Sequence, residues 1–135
     1  MDTHRATASL PWIDGPAVRA ALSPRAAVDA LEAALAAGLD PEADAPRTRV
    51  ATAAGQLLQM PSTRGAEVGT KLLTLTPDNP ERGLPVIQGV YVLFGAPGTP
   101  GQAPRAVLDG VELTGLRTSA AVSYTHLRAH ETKAN

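Results

Sequence analysis

Val86-Ile87-Gln88-Gly89-Val90-Tyr91-Val92-Leu93-Phe94 is the stretch on which the fold turns. It is long, β-branched and largely apolar, a pattern that favours extended chain. Lacking polar alternation, it is expected to be buried on both faces. Working upstream, Thr76 to Gly83 is a loop dense in turn formers, and Gly69 to Leu75 reads as a neighbouring strand. Arg49-Val50-Ala51-Thr52 and Gln56-Leu57-Leu58-Gln59-Met60 read as two more strands joined across Ala53-Ala54-Gly55. Downstream, Gly95 to Pro104 is a Gly/Pro hairpin loop and Arg105 to Leu108 the returning strand. Asp109-Gly110 closes that strand. Glu112 to Ala121 then reads as the start of a helix, with Leu113, Leu116 and Ala120 as its apolar stripe.

The first third of the chain has a different grammar. Leu10 to Ile13 is a short extended segment. Asp14-Gly15-Pro16 opens a helix, because Asp14 can accept from free N–H groups and Pro16 suits the first turn. Val18, Ala21 and Leu22 share one face of it. Ser23-Pro24 repeats the start signal, and Ala27, Val28, Leu31, Ala34 and Leu35 follow at helical spacing, with Gly38 as the C′ residue. Asp40 to Pro46 is a polar linker. The expected architecture is α+β: two N-terminal helices packed on a mixed or antiparallel sheet of about five or six strands.

Bulk properties narrow the function classes. The 135 residues fit one domain. With 3% aromatic residues, the core must be built from Leu, Val and Ala. A net charge of −1 without a basic block argues against nucleic acid or an anionic membrane as partner. Absence of cysteine excludes disulfides and thiolate metal sites, and fits a reducing cytoplasm. No apolar segment follows the polar N-terminus as a signal peptide would require, and no run approaches a membrane span of roughly 18 residues.

The motif inventory is short. Gly95 to Gly101 has the wrong glycine spacing for a dinucleotide fingerprint, and its prolines remove needed donors. There is no P-loop and no Gly-x-Ser-x-Gly elbow. What remains is a set of cations in apolar surroundings: Arg47 at a strand start, Lys71 inside the strand Val68 to Leu73, and Arg117 at the start of the last helix. Such groups are costly to bury unpaired. Lys71 therefore either reaches solvent from an edge strand or meets an anion. A guanidinium forks onto a carboxylate or phosphate, so three such cations suit an amino-acid-like substrate or a nucleotide phosphate.

The ordered train Gln56 to Pro61, Gly69 to Thr74, Asp78 to Gly89, Leu108-Asp109-Gly110 and Leu113 to Ala121 resembles the ornithine cyclodeaminase/mu-crystallin family, over roughly Leu10 to Val122. The resemblance implies a substrate and dimerisation domain joined to a Rossmann domain, a homodimer, and NAD or NADP as cofactor. The founding reaction converts L-ornithine to L-proline and ammonia through transient hydride transfer, and relatives include ketimine reductases and alanine dehydrogenases. Carried over by motif, Arg47, Lys71 and Arg117 hold the substrate carboxylate. Lys71 is also the catalytic candidate, a partly desolvated lysine that steers protons. Met60 lies by the substrate pocket, while Gln88 and Arg117 face the cofactor. Arg49, two residues from Arg47, competes for the same role. No metal ligand is implied.

The family's glycine-rich βαβ unit should follow Arg117 closely, and it is missing. The string Val122 to Thr132 instead resembles one reading frame of an adapter used in preparing DNA libraries. The expectation is thus a domain over 1–121 and a non-native tail over 122–135. His126 and His130 in that tail are set aside as metal ligands. The substrate half alone is expected neither to bind nicotinamide well nor to turn over. A reading from another class, a non-catalytic binding or dimerisation module, stands beside it.

Overall fold

A computed structural model of the chain describes residues 9–43, 45–95 and 102–133, with backbone alone at 41 and 127–133. The N-terminal octapeptide and residues 96–101 of the Gly/Pro loop lie outside the described residues, as does the side chain of His130.

The first two helices start where the sequence offers a cap. Asp14 accepts from the Ala17 N–H at 2.9 Å and opens α1 (Gly15–Ala21). Ser23 accepts from the Ala26 N–H at 3.1 Å and opens α2 (Pro24–Ala36). At the end of α2, Gly38 takes φ +92°. Its N–H donates to the Leu35 carbonyl and that of Leu39 to Ala34, a Schellman ending that only an unhindered residue makes without strain.

One strand before these helices and five after them form one mixed sheet: β1 (Trp12–Ile13), β2 (Thr48–Ala51), β3 (Gln56–Arg64), β4 (Glu67–Leu75), β5 (Ile87–Phe94) and β6 (Pro104–Asp109), ordered β1-β6-β5-β4-β3-β2. All neighbours are antiparallel except β1, which lies parallel to β6. The α+β expectation and the strand number are met. The β3–β4 hairpin runs further than the sequence suggests, through Pro61 to a tight turn at Gly65 (φ +58°). Pro61 is tolerated because β2 ends opposite Gln56 to Gln59, so no strand there needs its missing N–H.

One expectation needs correction. β5 is not buried on both faces: no residue from Ile87 to Phe94 is fully buried. The reason lies in how the layers stack. Helix α3 (Gly110–Lys133) lies across one face of the sheet, and α2 packs on α3. The strand alternation leaves Trp12, Val50, Leu57, Leu72, Val90 and Val107 on the opposite face, where Trp12 is 56% and Val50 48% exposed. Among the described residues, the buried apolar side chains are Val18, Ala27, Val28, Ala34, Leu73, Ala106 and Ala120, the small-residue core the composition demands. α3 continues unbroken past residue 121, and Tyr124 packs against the Ala27–Val28–Ala120 cluster.

Asp109 does more than close a turn. Its Oδ1 accepts from the N–H groups of Val111 and Glu112 at 3.0 and 2.9 Å, making it the cap of α3. The helix then begins directly on the backbone of β5. A Cβ at position 110 would lie 2.8 Å from the Val90 carbonyl carbon and 2.9 Å from its nitrogen. Backbone cannot step aside, so Gly110→Ala should destabilise the fold by about 1–3 kcal/mol, the usual cost of overpacking. Gly115, in the same helix, has open space where its Cβ would go. Gly115→Ala should stabilise by roughly 0.5–1 kcal/mol. Urea unfolding of the two variants checks the contrast, and equal effects would refute this docking geometry.

Candidate active site

Lys71 sits in the middle of β4, paired with Met60 on β3 and with Tyr91 on β5. Residues paired across a sheet point to the same face, so these three side chains share the face covered by α3. The Lys71 Nζ donates to Thr114 Oγ1 at 3.2 Å. The Thr114 hydroxyl in turn donates to the Gly110 carbonyl at 2.6 Å. Its one hydrogen is thereby committed to the helix backbone, leaving a lone pair aimed at the ammonium. Arg117 follows three positions later, on the same side of α3 as Thr114.

These groups border an open cavity of about 460 Å³, lined by Arg47, Met60, Lys71, Tyr91, Thr114 and Arg117, with Arg64 at its edge and Leu31 and Leu35 of α2 also on its wall. Burial lowers the Lys71 pKa below its ordinary 10.5, and the nearby Arg117 and Arg47 lower it further. None of the three cations forms an ion pair among the described residues. The ion pairs there, Arg19–Glu112 at 2.8 Å and Arg25–Asp29 at 3.1 Å, lie elsewhere. Like charges gathered without an anion raise the free energy of the empty site, and an entering carboxylate would relieve that repulsion.

The structure therefore brings together Arg47, Met60, Lys71 and Arg117. It separates two others. Arg49 pairs with Leu58, one inward-facing step further from Lys71, and does not line the cavity. Gln88 pairs with Thr74, three residues from Lys71, so its exposed side chain belongs to the opposite face of the sheet. Sequence reasoning passed over Thr114 and Tyr91. Thr114 carries a signal in retrospect, a hydroxyl near the start of a capped helix; Tyr91 is one apolar-looking letter in an apolar strand. Among the described residues no group of His, Asp and Glu side chains could hold a metal ion.

The depressed Lys71 pKa has a definite consequence for stability. Between its folded value and 10.5 the unfolded chain binds more protons than the folded one, so stability rises with pH across that window. Below it, the strained ammonium is a cost that Lys71→Met removes. Lys71→Met should therefore be slightly more stable than the parent at neutral pH, by less than about 1 kcal/mol given solvent screening. The advantage should shrink as pH approaches 10.5. Urea midpoints compared across that range test this, and an advantage that grows with pH would contradict it.

Several solved structures share this fold. An archaeal alanine dehydrogenase dimer with bound NAD is 27% identical and superposes with a TM-score of 0.69, covering 83% of this chain and 34% of its own. The Thermococcus litoralis Δ1-pyrroline-2-carboxylate reductase, in complex with NADH and L-proline, is 26% identical with a TM-score of 0.68 and coverages of 84% and 36%. A lysine cyclodeaminase, described in its recognition of L-lysine, L-ornithine and L-2,4-diaminobutyric acid, is 27% identical with a TM-score of 0.66 and the same coverages. The chain thus spans about a third of the length of the structures it matches. No curated protein matches it. The profile of one family aligns with residues 16–134, nearly all of the sequence, and on that evidence the chain belongs to the ornithine cyclodeaminase/mu-crystallin family.

Proposed function

We propose that this chain is the substrate-holding and dimerising part of a cytoplasmic enzyme that acts on a small amino acid or imino acid with NAD(H) or NADP(H). The observation that carries the reading is the unpaired trio Arg47, Lys71 and Arg117 around one cavity. An α-carboxylate is the anion that fits. The arginine forks grip its two oxygens, and charge-assisted hydrogen bonds of this kind contribute about 1.5–3 kcal/mol each. Lys71, held by Thr114 and with a lowered pKa, would hold or release a proton beside the substrate nitrogen, a role that its hydrogen bond and its lowered pKa support. Met60 and the α2 leucines keep that end of the cavity dry.

A nicotinamide, when bound, supplies or accepts the hydride. Of the two residues expected beside it, Arg117 lines the cavity and Gln88 does not. The groups present thus fit the substrate better than the cofactor, whose binding surface we assign to sequence beyond residues 1–121. Conversion of L-ornithine to L-proline and ammonia is one reaction of this chemistry; imino-acid reduction or alanine oxidation is the alternative. In this reading 122–135 is a non-native extension of α3, with its Tyr124 against the Ala27–Val28–Ala120 cluster, checked by whether the bases coding Val122 to Thr132 equal the library adapter.

The partner proposed for the uncovered sheet face is a second copy of the chain. It carries the exposed Trp12 and Val50 with Leu57, Leu72, Val90 and Val107 between polar residues such as Gln59 and Gln88, and the matched alanine dehydrogenase is described as a dimer. Burying more than about 1,000 Å² there would make a specific interface.

Two outcomes are expected. L-Proline or L-alanine titrated into the chain should perturb NMR signals of Lys71 and Thr114, with binding weakened about tenfold or more by Lys71→Ala or Arg117→Ala. Binding indifferent to both substitutions would sink the carboxylate site. Sedimentation should give a dimer that Leu72→Asp splits into monomers. A monomeric parent chain would refute the sheet-face interface.

A further inference from the structure

We propose that Tyr91 determines which substrates the cavity admits: its ring blocks the way to a second pocket and restricts the site to compact amino or imino acids. The inference rests on the carboxylate reading above and narrows its substrate class.

Tyr91 stands opposite Lys71 in the sheet, and its ring leans over the neighbouring inward-facing position, residue 69. That position is glycine. A Cβ there would fall 2.6 Å from Cζ and 2.8 Å from Cε1 of the ring, and would collide with the hydroxyl. The phenol can lie flat on the strand only because residue 69 has no side chain.

The ring is a wall shared by two spaces. On one side is the 460 Å³ cavity with Arg47, Lys71 and Arg117, and with Arg64 at its edge. On the other is an open pocket of about 200 Å³ at the exposed tip of the β3–β4 hairpin, lined by Ser62, Arg64, Glu67, Gly69, Tyr91 and Leu93. The two spaces share Ser62 and Arg64 as well, so they are adjacent and the phenol is part of their common boundary. Glu67 is the one carboxylate lining the second pocket. It lies two inward-facing positions beyond Lys71 on β4, about 13 Å along the strand.

Together the two spaces form a frame for a long diamino acid, with cations for the α-carboxylate at one end and, at the other, Glu67, which Arg64 faces across the hairpin. Tyr91 interrupts that frame. A substrate anchored at Lys71 and Arg117 meets the ring before its side chain reaches Glu67. Burial raises the phenol's pKa, so the barrier stays uncharged and offers a distal ammonium no compensating charge. The chain as it stands therefore suits short or cyclic substrates, and the ring's removal should open it to longer, doubly charged ones.

The test measures dissociation constants of L-alanine, L-proline, L-ornithine and L-lysine for the full chain by NMR titration. The parent chain should prefer the compact pair by about tenfold or more. Tyr91→Ala should abolish or reverse that preference. Adding Glu67→Gln to Tyr91→Ala should remove the gain for ornithine and lysine. Tyr91→Phe should keep the parent's preference, since bulk and not the hydroxyl forms the barrier. If Tyr91→Ala fails to fold by circular dichroism, Tyr91→Leu, which keeps an apolar side chain but not the ring's reach, takes its place. A folded variant lacking the ring that still prefers the compact pair as the parent does would overturn the inference while leaving the carboxylate site intact. Absence of Lys71-dependent binding of all four acids would instead overturn the site reading, and this inference with it.

Discussion

Everything in the site depends on how closely α3 approaches the sheet. The helix rests its first turn on the backbone of β5, a contact permitted because residue 110 has no Cβ, and Asp109 closes the exposed N–H groups of that turn. From there helical geometry sets the rest. Thr114 arrives one turn later, over Lys71, and Arg117 arrives beside both. A helix held even a side chain's width further out would leave the Lys71 ammonium without its oxygen and would carry Arg117 away from it.

The electrostatics of that cavity run against stability, and this is its chemical interest. A lysine pushed towards neutrality by burial and flanked by two guanidinium groups is a poor arrangement for a structural element. The fold has little to spare for it, since its buried side chains are mostly alanine and valine. Arg47 and Arg117 are themselves exposed, so the cost falls on Lys71, and a cation held this way without a counter-ion is the kind of group that marks a candidate functional site.

Much of this was legible in the sequence. Asp14, Ser23 and Gly38 marked helix ends with chemistry that depends on local backbone alone, and the structure uses each as read. Lys71 and Arg117 stood out because a charge inside an apolar pattern is conspicuous. What was hidden depends on tertiary placement. Tyr91 reads as one more strand residue until Gly69 is seen beneath its ring. Gln88 and Arg49 share motifs with cavity residues, but strand parity and register put one on the far face and the other a step too far along. Burial of β5 was misjudged for a related reason: apolar residues on both faces show that both want cover, not that this chain supplies it.

The short strand β1 carries a consequence of another kind, in the order of assembly. Strands β2 to β6 are each paired with their neighbour in sequence, so they can zip as a succession of hairpins while the chain is still emerging. β1 cannot join them. Its partners, Val107 and Leu108, lie nearly a hundred residues downstream, and parallel pairing admits no local turn. Trp12 and Ile13 must wait until β6 exists, and closing that long loop ties the beginning of the domain to its last strand. The two-residue bridge that looks like an ornament at the sheet's edge is the pairing that comes last in synthesis, and with it α1 is brought to the flank of α3.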